Sequence, residues 1–236
     1  MFLPKTEVCD HIVENPAPVI FIDTCVFLDI LRSPIRKNIS TDTITTTLKL
    51  IEMSEKTPRE VWLVTNETVH GEWNDHINSI KLELEKEIKS VETKREKLFL
   101  AAKNALGQTH EYGQKETSIN LHCHLESLSR NFLNNCLVMQ VEDIHSVKAM
   151  QRIRKCVPPA RQGKQEAKDC EILEAFLDIS KCIRDSDLEH VICFISSNSD
   201  DYGKPEQSPI QQEFDGVNTK YVNNLQWALA LVENRT

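Results

Sequence analysis

Residues 18–31, Pro-Val-Ile-Phe-Ile-Asp-Thr-Cys-Val-Phe-Leu-Asp-Ile-Leu, constrain the fold more than any other stretch. Four apolar residues, Val19 to Ile22, run without interruption into one carboxylate, Asp23, and a helix-like segment follows at once. A short, continuous, β-rich apolar run reads as a strand buried on both faces, which is the habit of parallel sheets. An acid at its end then stands at the carboxyl edge of the sheet, where open α/β folds bind ligands. Two roles are open to Asp23 from this stretch alone: a ligand-binding carboxylate, or an N-cap for the next helix.

The remaining chain supplies partners for such a strand. Val61 to Thr65 reads as a second strand, Val191 to Ile195 as a third, and Lys220 to Val222 as a short last one. Helical segments separate them at Thr24–Leu31, Thr41–Met53, Val141–Cys156, Gly163–Ile183 and Leu225–Val232. Strands alternating with helices predict an α/β fold around a parallel sheet. Residues 1–17, with Pro4 and Pro16, show little pattern and read as an N-terminal arm, leaving 18–236 as the domain. Between the second and third strands a long helix begins near Asn66. Ile77, Leu84, Val91, Leu98 and Ala105 form a seven-residue row on it, interrupted by Arg95 among the seam positions. After the polar segment 107–117, Leu121, Leu125, Leu128, Phe132, Cys136 and Met139 continue at three/four spacing. The pattern predicts an antiparallel helical hairpin inserted over 77–140, about 40 Å long at 1.5 Å per residue. Such a hairpin is a structural arm, a dimerisation or protein-docking arm, or a clamp over substrate.

The chain has 236 residues and a net charge of -8, so no global field draws it to nucleic acid or membrane. No run approaches the length of a membrane span. The first residues lack the basic region and apolar core of a secretory signal, so a cytoplasmic location is expected. The eight cysteines form no Cys-x-x-Cys pair and read as buried thiols. His122-Cys123-His124 does not read as a zinc site, because adjacent helical residues point apart.

Acids recur beside the expected carboxyl ends of the strands: Asp23; Glu67 and Glu72; Asp169 and Glu171; then Asp200 and Asp201. Carboxylates gathered at one edge repel each other, and a hard divalent cation bound through oxygen relieves the repulsion. From Lys148 to Lys168 seven basic residues, among them Arg152, Arg161, Lys164 and Lys168, face one acid, Glu166, for a net +6. That run reads as a phosphate-contacting patch, since Arg forks match phosphate oxygens. There is no Gly-x-Gly-x-x-Gly after the first strand and no Gly-x-Ser-x-Gly elbow. Cys25 stands where an aspartyl-phosphate enzyme carries a second Asp.

Phe-Ile-Asp-Thr-Cys-Val-Phe-Leu-Asp resembles the opening motif of PIN domains, and Ser196-x-Asn198-x-x-Asp201-Tyr202 resembles their late motif. Glu72 in Thr-Val-His-Gly-Glu-Trp is similar to the family's helix glutamate, and Asp169 in Lys-Asp-Cys-Glu-Ile-Leu to its later Asp. The resemblance covers roughly 18–75 and 160–236. It implies a three-layer sandwich with a central parallel sheet and a Mg²⁺- or Mn²⁺-dependent nuclease, most often cutting RNA and leaving a 3′-hydroxyl and a 5′-phosphate. Family members include toxins of toxin–antitoxin pairs and RNA-processing enzymes. By position, Asp23, Glu72 and Asp169 would be metal carboxylates and Asn198 falls at the fourth place, where Asp200 and Asp201 could compensate for its missing charge or simply shape a turn; Asp201 is counted with the metal ligands and the catalytic acids. Thr24 and Ser197 would position ligands or the scissile phosphate, with Arg161, Lys164 and Lys168 on the phosphate backbone. A PIN-like module that binds nucleic acid or protein without cutting, and a DNA nuclease, are the alternatives.

Overall fold

The computed structural model describes residues 2–107, 113, 115–162 and 166–234. Lys164, expected on the phosphate, lies outside them. The elements run α1 (Lys5–Glu14), β1 (Val19–Ile22), α2 (Thr24–Arg32), α3 (Asp42–Glu55), β2 (Trp62–Asn66), α4 (Glu67–Leu106), α5 (Leu121–Asn134), β3 (Leu137–Met139) and α6 (Asp143–Lys155). They continue with α7 (Ala167–Arg184), β4 (Ile192–Ile195), α8 (Ser199–Tyr202), α9 (Gln211–Gly216), β5 (Lys220–Val222) and α10 (Leu225–Val232). The strands form one five-stranded sheet, every pair parallel, in the order β3-β2-β1-β4-β5. β1 and β4 are buried along their whole length, as their unbroken apolar runs require. Helices cover the sheet: α2 packs with α4 and α5, α3 with α10, and α7 with α1 and α6. The aromatic centre of the core stacks Phe21, Phe176, Phe194 and Phe214 against one another.

The strand order creates the site. From β1 the chain builds outward through β2 to β3, then returns to place β4 on the other side of β1. The sheet therefore has a switch point between β1 and β4, and the loops leaving their carboxyl ends diverge to open a crevice. Asp23 follows β1 and Ser196 follows β4, with Asp23 N–H donating to the Ile195 carbonyl at 3.1 Å.

Three expectations change. Residues 5–14, inside the stretch read as a patternless arm, form α1, with Val8, Cys9 and Ile12 buried on one stripe. Its contact with α7 is completed by Lys5, which donates to Asp178 at 2.6 Å. Leu3 bridges to Met139 at the sheet edge. The second hairpin helix does not reach Met139: it ends at Asn134, and Leu137–Met139 become β3 beside β2. A three-residue strand is too short to show alternation, so its apolar residues fell in step with the helical spacing before it. The two helices are also unequal. α4 has 40 residues and spans about 60 Å, whereas α5 has 14 and spans about 21 Å.

The seven-residue row on α4 divides. Ile77 and Leu84 are buried in the common core with Leu125 and Phe132 of α5. Val91 and Leu98 are 55% and 72% exposed. At the changeover Glu92 accepts from the Thr117 N–H at 2.7 Å and its hydroxyl at 2.8 Å, holding the returning chain against α4.

Candidate functional site

Asp23 takes the N-cap role its position allowed and also stands in the crevice. As N-cap of α2 it accepts the Thr24 N–H on Oδ1 at 2.7 Å. Its Oδ2 accepts the Ser196 hydroxyl at 2.6 Å and the Cys25 thiol at 3.1 Å. The residue is 2% exposed. Burial pushes its carboxyl up to about 6, with the neighbouring Glu72 charge adding to the rise and the three donors opposing it.

Glu72 reaches the same place from α4. Asn66 caps that helix by accepting the Val69 N–H at 3.0 Å, and Val69, Trp73 and Ile77 turn into the core. That anchoring leaves Glu72 at the crevice, where its Oε2 accepts the Thr24 hydroxyl at 2.6 Å. Asp169 comes from the first turn of α7, whose neighbours Cys170, Ile172 and Leu173 are buried. Burial pushes its carboxyl up to about 8, and the Asp23 charge, Glu166 and Asp201 push the same way. The buried Tyr202 hydroxyl donates to the Asp169 carbonyl at 3.2 Å.

Of the two neighbouring acids after β4, Asp200 is exposed and Asp201 is 6% exposed. Asn198 donates its amide to Asp201 Oδ2 at 2.7 Å. Gly203, at φ +77°, turns the chain two residues after the acid. A Cβ there would lie 2.7 Å from Pro209 Cδ, so only glycine permits this close return. Glu166, Asp169 and Asp201 offer oxygens that all lie within 4.8 Å of one another. Glu166 was counted from the sequence only as the lone acid of the basic run. Its position three residues before Asp169, one helical turn away, was the signal available.

Ser197, expected beside the phosphate, donates instead to Asp29 Oδ2 at 2.5 Å, and Ser196 takes the place on Asp23. Glu67 accepts the Val141 N–H at 2.9 Å, and Glu171 bridges Thr68 and Ser146 at 2.6 Å each, so both serve the packing around α4, α6 and α7. The basic patch separates in the same way. Arg152 is buried between Glu174 and Glu213 and is no surface cation. Arg161 and Lys168 do border the acids, with Arg161 3.7 Å from Asp201 and Lys168 3.7 Å from Glu72; each is more than half exposed.

The sequence model of one family, described as a PIN domain, matches residues 20–202. The chain belongs to the PIN-domain family. No curated protein and no solved structure matches it. PIN domains are a nuclease family that uses divalent cations, and the donor set of this PIN domain suits one. Asp23, Glu72, Glu166, Asp169, Asp201 and the amide of Asn198 offer hard oxygen atoms. The thiol that touches Asp23, Cys25, is pushed well above its ordinary value, by burial first and then by Asp23, and stays protonated. Among the described residues no helix is long and apolar enough to cross a membrane.

Proposed function

We propose that this PIN domain is a Mg²⁺- or Mn²⁺-dependent endonuclease that hydrolyses phosphodiester bonds in RNA. The observation that carries the reading is the gathering of acids at the switch point, with Asp23 and Asp169 pushed to about 6 and about 8. Such carboxyls hold protons that a cation would displace. Asp23, Glu72, Asp169 and Asp201 would hold the ion, with Glu166 and the Asn198 oxygen completing the oxygen shell. A bound ion supplies Lewis acidity at the phosphate and lowers the pKa of water.

The surrounding side chains orient those ligands. Ser196 and Cys25 fix the Asp23 carboxylate, Thr24 fixes Glu72, and Asn198 fixes Asp201. Arg161 and Lys168, held only loosely by the acids, would turn to the phosphates of an entering strand, together with Lys164. The uncharged Asn198 and the long heptad arm favour the non-cutting alternative, whereas Asp201 and Glu166 supply charge beside Asn198. RNA is the substrate that the resemblance of the motifs favours, and DNA is the other strand to test. Free thiols at all eight cysteines fit a reducing, cytoplasmic setting.

The test is cleavage of matched single-stranded RNA and DNA in Mn²⁺, Mg²⁺ or EDTA, with wild type and Asp23→Asn side by side. Cutting that needs the cation and drops on the order of 10³-fold in the variant is expected. Undiminished cutting by Asp23→Asn overturns the assignment.

A further inference from the structure

A polar cleft of about 740 Å³ opens beside the acids, between the start of α2, the α2–α3 segment, the loop after β4 and the start of α10. Cys25, Ser197 and Asn198 line it, and two of these touch the acidic centre as well: the Cys25 thiol lies on Asp23 and the Asn198 amide on Asp201. The cleft and the centre therefore share a wall. Its volume falls within the roughly 300–1,000 Å³ of sites that enclose a small ligand, far more than a cation needs.

The lining is chemically mixed. It combines the carboxylate of Asp29, the guanidinium groups of Arg32 and Arg36, and the amides of Asn38, Asn223 and Gln226. Donors and acceptors side by side match the edges of nucleobases, which present both. None of the lining residues is aromatic, so a base plane would stack on guanidinium instead, as unpaired bases often do. The two arginines are incompletely engaged by their protein partners. Arg32 approaches Asp29 at 3.5 Å and its buried Nε has no hydrogen-bond partner among the described residues. Arg36 comes only within 4.0 Å of Glu83.

We propose that this cleft receives the nucleobase of a nucleotide flanking the bond to be cut, splayed out of an unpaired strand whose phosphate lies over the acids. The inference rests on the nuclease reading of the adjoining centre and adds to it a requirement for one unpaired base at a fixed offset. A duplex keeps that base stacked and would not fill the cleft.

The test is an abasic scan. A single-stranded RNA with one cleavage site is made with each flanking base removed in turn. Cleavage in Mn²⁺ is measured for wild type and for Arg36→Ala/Asn38→Ala, and binding is measured by anisotropy with Asp23→Asn in EDTA. One abasic position is expected to lower kcat/KM on the order of tenfold, and the double variant to lose the same factor on intact RNA while becoming indifferent to that position. Cleavage with no position-dependent loss, or a double variant as sensitive as wild type, overturns the cleft and leaves the nuclease standing. Position-dependent binding without cleavage supports the cleft and overturns the nuclease. Neither cleavage nor position-dependent binding overturns both. Free nucleoside monophosphates form the second arm: one that binds in the cleft without inhibiting RNA cleavage assigns it to a free nucleotide and overturns the substrate role.

Discussion

Two clusters in this PIN domain look alike as lists of residues and differ as chemistry. Glu142, His145 and Asp178 converge within ligand distance on the α6–α7 side, as Glu166, Asp169 and Asp201 do at the switch point. In the first cluster every charge has a protein partner. His145 accepts the Glu142 N–H on Nδ1 at 3.0 Å, which puts the neutral ring's proton on Nε2, facing Asp178 at 3.0 Å. Lys5 adds its ammonium to Asp178 at 2.6 Å. Burial works upward on the Asp178 carboxyl, but the Lys5 and His145 bonds outweigh it and hold the group below its ordinary value. In the second cluster the acids face one another, and burial and repulsion push Asp169 up to about 8. Convergent acids mark a candidate site where burial and mutual repulsion, rather than a lysine and an imidazole, set their protonation.

The sharpest way to break this contrast is to neutralise one acid in each cluster. Asp169→Asn is expected to lower cleavage on the order of 10³-fold without lowering the Tm of the metal-free protein at pH 9, where it removes a buried charge that costs stability. Asp178→Asn is expected to do the reverse. It should cost about 1–3 kcal/mol in denaturant unfolding, as charge-assisted bonds to Lys5 and His145 weaken, with cleavage near wild type. A large activity loss in Asp178→Asn would erase the distinction.

Acidity separates the clusters by the sign of a slope. For Asp23 and Asp169 the folded state holds protons the unfolded chain has released, so metal-free stability falls as pH rises from 3.8 through about 6 and about 8, then levels. For Asp178, whose carboxyl is lowered, stability is present above 3.8 and is lost as pH falls below it. Thermal melts from pH 3 to 9 should therefore show a loss at both ends, and Asp169→Asn should flatten the alkaline one. Adding Mn²⁺ at a hundred times its Kd should restore about 2.7 kcal/mol, more readily at pH 8 than at pH 6, where protons compete. The smallest expected effect is on Arg161. Its replacement by Ala should weaken RNA binding and lower the salt slope by about one; an unchanged slope removes it from the phosphate path.

The central parallel sheet and four of its strands were legible in the sequence, because β1 and β4 are buried on both faces and cannot hide their apolar runs. The placement of Asp23, Glu72, Asp169 and Asp201 was legible too, because each acid stands at an element end or in the first turns of a helix, which local spacing reveals. Tertiary structure alone decided the rest. β3 came from three residues whose partner, β2, lies some seventy positions earlier, so nothing local distinguished them from the helix before. Arg152 turned inward because Glu213, far along the chain, folds back to meet it. Glu166 joined the acids through the return of the chain into α7, and Ser196 rather than Ser197 met Asp23 because successive residues leaving a strand point to opposite sides. Periodicity and local ends are properties of neighbours in sequence. Which charges pair within the packing, and which gather at the crevice, is a property of the folded contacts.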